Sequence, residues 1–304
     1  MSKRPHRAGP CTRVLAILLC AAAMAGIGTG HGAAPPAPAC ALADAPRADL
    51  AMRVPFEQVD GRIYVQARVN GRGPFRFAID TGASGVGRAD SSLVAALGLP
   101  VLAPTANSDG LSTAQADTTR LATLEVGGLV HADVQVITRD YNSGLSAQAA
   151  LAGIVARGFF ADGLLIIDYR RRTLAFSRTL ALAPGQDGVL AYTRPFRVPL
   201  TIGGVQAQGN LDTGADVAFV LPRAVFEQVG GTPLQAAGRG QLANGRIETW
   251  RSTVPGPFRI GLARLADVEV RVVERFPEVL VGAKALQDLV VLIDQRSNAV
   301  ALCP

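Results

Sequence analysis

The sequence predicts an all-β fold made of two similar lobes, with few short helices, and three observations carry that expectation. Asp80-Thr81-Gly82-Ala83 returns as Asp212-Thr213-Gly214-Ala215, each copy at the end of an apolar run. Short runs that alternate apolar and polar residues, rich in strand formers and cut by glycine turns, recur in the same order through both halves. Of the 304 residues, 49% are hydrophobic and 18% charged, a balance that supports packed cores and argues against disorder.

Taken in order, the chain opens with Lys3, Arg4, Arg7 and Arg13 ahead of an apolar run from Val14 to Ile27, followed by Gly, Ala and Pro. That is the layout of a secretory signal, and the run is shorter than the roughly 20 residues that cross a bilayer. Residues 1–43 are therefore expected to be signal peptide and leader, and 44–51 an extended segment. The protein is expected to be exported to the periplasm or beyond, with no stable membrane span after cleavage. Small residues suited to cleavage occur at Ala21-Ala22-Ala23 and at Ala41-Leu42-Ala43, the later site serving as an outer bound. Losing the four basic residues takes the formal charge from +6 to about +2, too mild to suggest a nucleic-acid partner. Cys11 and Cys20 leave with the signal. Cys40 and Cys303 remain at the two ends, open to one disulfide, with lipidation at Cys40 as the alternative that Ala37-Pro38-Ala39 matches poorly.

The first lobe is expected over 52–182. Arg62 to Val69 alternates, Asn70-Gly71 turns, and Phe75 to Ile79 delivers Asp80. Ser91 is placed to cap a short helix through Leu97, stopped by Gly98 ahead of Pro100. Strands follow around Leu121–Val126, Val134–Ile137, Leu151–Ala156, Leu164–Tyr169 and Thr173–Phe176. Arg170-Arg171-Arg172 between the last two reads as a solvated turn. A Pro/Gly linker at 183–189 leads to the second lobe, 190–304. There Phe196–Ile202, the turn Gly203-Gly204, Asp212 and a helix from Arg223 to Val229 repeat the order, Leu280-Val281-Gly282 answers Ile154-Val155-Ala156, and Ile293-Asp294 answers Ile167-Asp168. Two large matching units imply an internal duplication with a pseudo-two-fold axis.

The chemistry lies in the repeated acids. One Asp-Thr-Gly is an ordinary strand running into a turn, but two copies supply a matched pair of carboxylates. Two carboxylates held close cannot both ionise, so the pair keeps one proton and can both polarise a carbonyl and deprotonate water. Gly82, Ala83, Gly214 and Ala215 are small enough for the two loops to approach. Thr81 and Thr213 are expected to hydrogen-bond across to the opposite loop. His131 is the only histidine left after the leader, so a metal cluster or a Ser-His-Asp triad has almost no material; neither metal nor cofactor is expected. The lone Trp250 suits a core position better than a cleft.

With its two Asp-Thr-Gly-Ala motifs, the Leu280-Val281-Gly282 run and the strand-Asp-basic segment that closes each half, the chain from Met52 to Pro304 resembles the pepsin-like and retropepsin-like aspartic proteases. The resemblance implies a two-lobed acid-protease-like β-barrel fold in which Asp80 and Asp212 form a water-activating dyad within one monomer, supported by Thr81, Gly82, Thr213 and Gly214. It implies a β-hairpin flap over a bound peptide or protein substrate. Hairpin tips want Asp-Gly or Asn-Gly, and Asp109-Gly110 and Asn244-Gly245 hold matching places after their acids. Ser84 is expected to hydrogen-bond Asp80, and Asp216 to meet substrate backbone or, structurally, an arginine such as Arg223. The sequence departs from the family in having Ala156 for a glycine, no aromatic closely after Gly110, and Ser84 where the second motif has Asp216. The function implied is aspartic endopeptidase; the rivals are a peptide- or protein-binding module that does not cut, and a scaffold of the cell envelope.

Overall fold

A computed structural model describes residues 38–304; the expected signal sequence falls almost wholly outside the described residues. The described residues form one compact unit. The order of elements is strand after strand, with α-helices among the described residues only at Ser91–Leu97, Arg223–Val229 and Ala283–Leu286. The fold is all-β and two-lobed.

Each lobe is started by a tight hairpin. Arg62–Val69 pairs with Arg72–Asp80, and Arg197–Ile202 pairs with Val205–Asp212. Both turns need left-handed backbone at two successive residues, which Asn70 (φ 52°) and Gly71 (φ 72°) supply in the first lobe and Gly203 (φ 56°) and Gly204 (φ 93°) in the second. The second strand of each hairpin then takes a parallel neighbour, Gly153–Ala156 in one lobe and Val279–Gly282 in the other, so that Asp80 lies opposite Ala156 and Asp212 opposite Gly282. Gly87–Asp90 and Phe219–Pro222 close the far side of those strands in antiparallel register. The result is an eight-stranded sheet in the first lobe and a nine-stranded sheet in the second.

A third sheet joins the lobes. Its middle pair is Leu164–Asp168 against Val290–Asp294, antiparallel from Leu164↔Asp294 to Asp168↔Val290. Each is flanked by its own lobe's hairpin partner, Thr173–Ser177 and Ala299–Cys303. Equivalent strands meeting antiparallel at the centre define the pseudo-two-fold axis. These strands are buried along their whole length and read as continuous apolar runs because both faces are covered. One buried apolar cluster runs from Met52 and Ile63 through Phe77 and Phe219 to Leu302.

Three local expectations change. Residues before Met52 are not a loose extended leader: Ala39–Asp44 and Arg47–Asp49 are 3-10 turns, Ala39 is fully buried, and Cys40 and Leu42 pack on the shared sheet. Cys40 is disulfide-bonded to Cys303 across 263 residues of sequence, which holds down a segment whose Ala- and Pro-containing composition shows no apolar periodicity. Asp90 rather than Ser91 caps the first helix, because its extended backbone lets Oδ1 accept from Ser92 N at 2.9 Å; Gly98 ends that helix in the left-handed region as expected. The last residue of the 183–189 linker already belongs to the strand Val189–Ala191, which edges the shared sheet.

Candidate active site

Asp80 and Asp212 end the second strand of each starting hairpin. The loops that follow face one another so closely that glycine is required twice. A Cβ on Gly82 would meet the Asp212 carboxyl carbon at 2.6 Å, and one on Gly214 would meet that of Asp80 at 2.5 Å. Each glycine thus covers the acid of the opposite lobe.

The threonines lock this arrangement with crossed hydrogen bonds. Thr81 N donates to Thr213 Oγ1 (3.1 Å) and Thr213 N to Thr81 Oγ1 (3.0 Å), while Thr81 Oγ1 donates to Leu211 O (3.1 Å) and Thr213 Oγ1 to Ile79 O (2.9 Å). Both threonines are buried, at 2% and 1% exposure. At that depth every backbone N–H needs a partner, and only a hydroxyl that donates and accepts at once satisfies both loops.

The two acids are held differently within this symmetry. Asp80 Oδ1 accepts from Ala83 N (2.8 Å), whereas Asp212 Oδ1 accepts from Gly214 N (2.8 Å). Burial first, then the negative charge and shared hydrogen bond of Asp80, push the Asp212 carboxyl up to about 7, against the pull of Gly214 N and Arg62. The proton belongs to the pair rather than to one residue. With its carboxyl pushed up to about 7, Asp212 favours its protonated form at mildly acidic pH, the form a general acid requires.

Two arginines that the sequence reading missed brace the loops. Arg157 Nη1 donates to Gly82 O (2.8 Å) and Arg62 Nε to Gly214 O (2.6 Å). Arg157 directly follows the supporting run Ile154-Val155-Ala156, a position that could have drawn notice; Arg62 opens a strand and gives no such signal. Burial holds the Arg157 guanidinium below its usual pKa, with Asp80, Tyr192 and Asp212 acting in the opposite sense.

Two site expectations are corrected. Ser84 does not bond Asp80; its Oγ accepts from Arg88 Nη2 at 3.2 Å, because Ala83 N already occupies the near oxygen of the acid. Asp216 pairs with Arg62 (3.5 Å) rather than Arg223, since Arg62 reaches over to brace Gly214 beside it. Arg223 instead pairs with Glu274 (2.9 Å) and lies 5.0 Å over the Trp250 ring, and Trp250 packs against the core.

Both expected hairpin tips form, between strands Leu102–Ser108 and Thr113–Val126 and between Gln235–Gln241 and Arg246–Val254. Gly110 and Gly245 lie at the two turns, and the tips touch. Asn244 N donates to Asp109 Oδ2 (2.9 Å), and Asn244 Nδ2 to Asn107 O (2.8 Å) and Ser112 O (3.1 Å). Burial works against the Asp109 carboxylate, but the backbone N–H groups of Ser112, Leu111 and Asn244 outweigh it and hold its pKa below the usual value.

The family profile for aspartyl protease matches residues 65–165 and 198–285, one stretch in each half. The chain belongs to the aspartyl protease family. Both acids lie inside the matched stretches, as do both hairpin tips. No curated protein matches the chain. Among the described residues, no group of three or more His, Cys, Asp or Glu could hold a metal ion, and no helix is long and apolar enough to cross a membrane.

Proposed function

We propose that the protein is an aspartic endopeptidase that hydrolyses peptide bonds with a water activated between Asp80 and Asp212. The observation that carries this reading is the mutual enclosure of the two carboxyls, each covered by the other lobe's glycine, with burial and the Asp80 charge pushing the Asp212 carboxyl up to about 7. A module that only binds peptide has no need to bury two like charges together, at an uncompensated cost of several kcal/mol.

In the proposed reaction the ionised member of the pair takes a proton from water as its oxygen attacks the scissile carbonyl carbon. The protonated member gives its proton to the carbonyl oxygen. The tetrahedral diol then collapses: one of its hydroxyls gives its proton to the ionised member as the C=O re-forms and the C–N bond breaks, the nitrogen leaves with a proton from the other member, and the pair is left with the single proton it began with. Thr81, Thr213, Gly82 and Gly214 keep the carboxyls in one plane. The hairpin tips at Asp109-Gly110 and Asn244-Gly245, joined by hydrogen bonds that a peptide must part, are proposed to close over the substrate, with Asp216 beside its backbone. Both acids come from one chain, so the monomer is sufficient.

Export fits the same reading, with one constraint. A disulfide at Cys40 requires an oxidising compartment and a cleavage that leaves Cys40 in place, so cleavage upstream of it is proposed and the Ala41-Leu42-Ala43 site is set aside. The test of function is direct: Asp80→Asn and Asp212→Asn should each lose hydrolysis of a peptide library, by about four orders of magnitude or more, while circular dichroism stays that of the parent. Undiminished cleavage by either variant defeats the proposal in favour of another site, and a parent that binds peptides without cutting them at any acidic pH favours the binding module.

A further inference from the structure

We infer that the first lobe carries a carboxylate-binding subsite built from Arg88, Arg139 and Tyr141, so that the preferred substrate is a peptide presenting an acidic side chain or a free C-terminal carboxylate there. This inference rests on the proposed hydrolase reading for the word substrate, but not for the site itself.

The parallel register of Gly87–Asp90 with Leu129–Arg139 sets Arg88 opposite Ile137 and Asp90 opposite Arg139. Alternation along a strand therefore puts both arginines on one face of the sheet. Arg88 is 8% exposed, and its guanidinium donates only to Gly87 O (2.9 Å) and Ser84 Oγ (3.2 Å). Arg139 donates through Nη1 to Ala243 O, while its Nε is buried with no partner; Tyr141 Oη is buried beside Arg139, close enough to interact with it but without a well-formed hydrogen bond. The Arg139 guanidinium lies 5.6 Å over the Tyr141 ring. Orphaned buried donors are rare in folded proteins and ask for an explanation.

No carboxylate forms a direct ion pair with these cations among the described residues, although the Asp80 charge acts on Arg88. Arg62, Arg194, Arg197 and Arg223 each pair with a carboxylate; Arg88, Arg139 and Arg157 form no ion pair among the described residues. Asp90 is the acid that the register brings nearest, and it is spent: Oδ1 takes Ser92 N and Ser92 Oγ (2.9 and 2.5 Å) and Oδ2 takes Tyr141 N (2.7 Å). Burial presses the Arg88 pKa down, and Arg139 and Arg157 add to it, while Tyr141 and Asp80 oppose them. An anion placed among these groups would relieve both the like-charge repulsion and the orphaned donors.

The chemistry of the donors selects a carboxylate. A guanidinium fork meets two coplanar oxygens, and the phenol adds a third donor. Position makes it part of a peptide cleft: Arg88 holds Ser84, in the loop that follows Asp80, and Arg139 holds Ala243, at the tip of the second lobe's hairpin. The cluster thus touches both the acid loop and that tip, the two places between which the proposed substrate lies.

The test is binding to the Asp212→Asn protein, so that the result does not depend on turnover. Fluorescent, C-terminally amidated peptides carry Glu or Gln at each position in turn, and a further neutral set ends in a free carboxylate. One acidic class should bind about tenfold or more tightly than its neutral twin. That preference should fall to about twofold or less in Arg139→Gln and fall in part in Tyr141→Phe; both side chains are half-buried, which keeps the test alive if Arg88→Gln does not fold. Preference for internal Glu assigns a side-chain subsite, and preference for the free terminus assigns the chain end. Equal binding of acidic and neutral peptides, no binding of acidic peptides, or a preference that survives Arg139→Gln overturns the subsite. Cleavage by the parent without acid preference sinks the subsite alone, whereas acid preference in binding with no cleavage by the parent sinks the hydrolase reading alone.

Discussion

Replacing Gly214 with alanine puts a methyl group where a hydrogen was, and the structure says where that carbon lands. It would lie 2.5 Å from the Asp80 carboxyl carbon and 2.6 and 2.8 Å from its two oxygens, where ordinary contact begins near 3.4 Å. The Asp80 side chain is not free to swing away, since Oδ1 holds Ala83 N and the loop behind it is tied by Thr81. The two loops must therefore part by about 0.9 Å, the difference between contact and overlap, or the carboxyl must leave its plane. A misplacement of that size at reacting groups costs about a hundredfold in rate. Gly214→Ala is thus expected to lower kcat/KM on a peptide substrate about a hundredfold, with secondary structure unchanged. Widening the pair also weakens the Asp80 charge that helps raise Asp212, so the alkaline limb of the pH profile should move to lower pH. Parental kcat/KM and an unmoved limb in a folded Gly214→Ala protein would refute the mutual-enclosure argument.

Stability should fall as pH rises from about 4 to about 7: Asp212 binds its proton more tightly folded, at about 7, than unfolded, at 3.8, so its contribution is whole below the lower value and lost through the upper. Thermal melts across that range should show the slope, and Asp212→Asn should flatten it. Thr81→Val leaves Thr213 N without an acceptor in a buried setting and should cost about 1–3 kcal/mol in urea denaturation, whereas Thr81→Ser should recover most of it. Cys303→Ser opens a tie spanning 263 residues and should cost about 2–5 kcal/mol, freeing the segment around Ala39–Asp44 to proteolysis; unchanged protease resistance would show that packing alone holds it.

The repeated acid motif, the starting hairpins and the closing strands were legible because each is set by local chemistry: a Gly or Asn that must take positive φ, a continuous apolar run that must be covered on both faces, an Asp-Thr-Gly that must turn. What joins the lobes was half legible. Crossed threonine bonds follow from two identical loops placed face to face, and the sequence displays both loops. The meeting of Asp109 and Asn244 does not follow in that way, because each tip reads as an ordinary hairpin and only the tertiary fold brings them together. The packing of Ala39–Asp44 is not legible for a related reason: its composition is that of a linker, and the force that orders it is a bond to the far end of the chain.

The arginines show where the pseudo-symmetry stops being informative. In the first lobe Arg157, one residue past the supporting run, braces Gly82 O; at the matching place in the second lobe stands Ala283, and Arg62 crosses from the first lobe to brace Gly214 O and pair with Asp216. Alignment of the halves predicts a vacancy at Ala283, but nothing in it names the residue that fills it. The same reasoning explains Ala156, which breaks the glycine pattern without breaking the site. Gly282 is forced, because a Cβ there would meet Val217 O at 2.3 Å; in the first lobe a comparably tight approach falls two residues after Ala156, where a Cβ on Gly158 would meet Gly85 O at 2.4 Å. Ala156 N still donates to Val86 O (3.0 Å), as Gly282 N does to Ala218 O (2.8 Å). The backbone support is therefore kept in both lobes, and the departure moved the crowding from one residue to another rather than removing the brace behind Asp80.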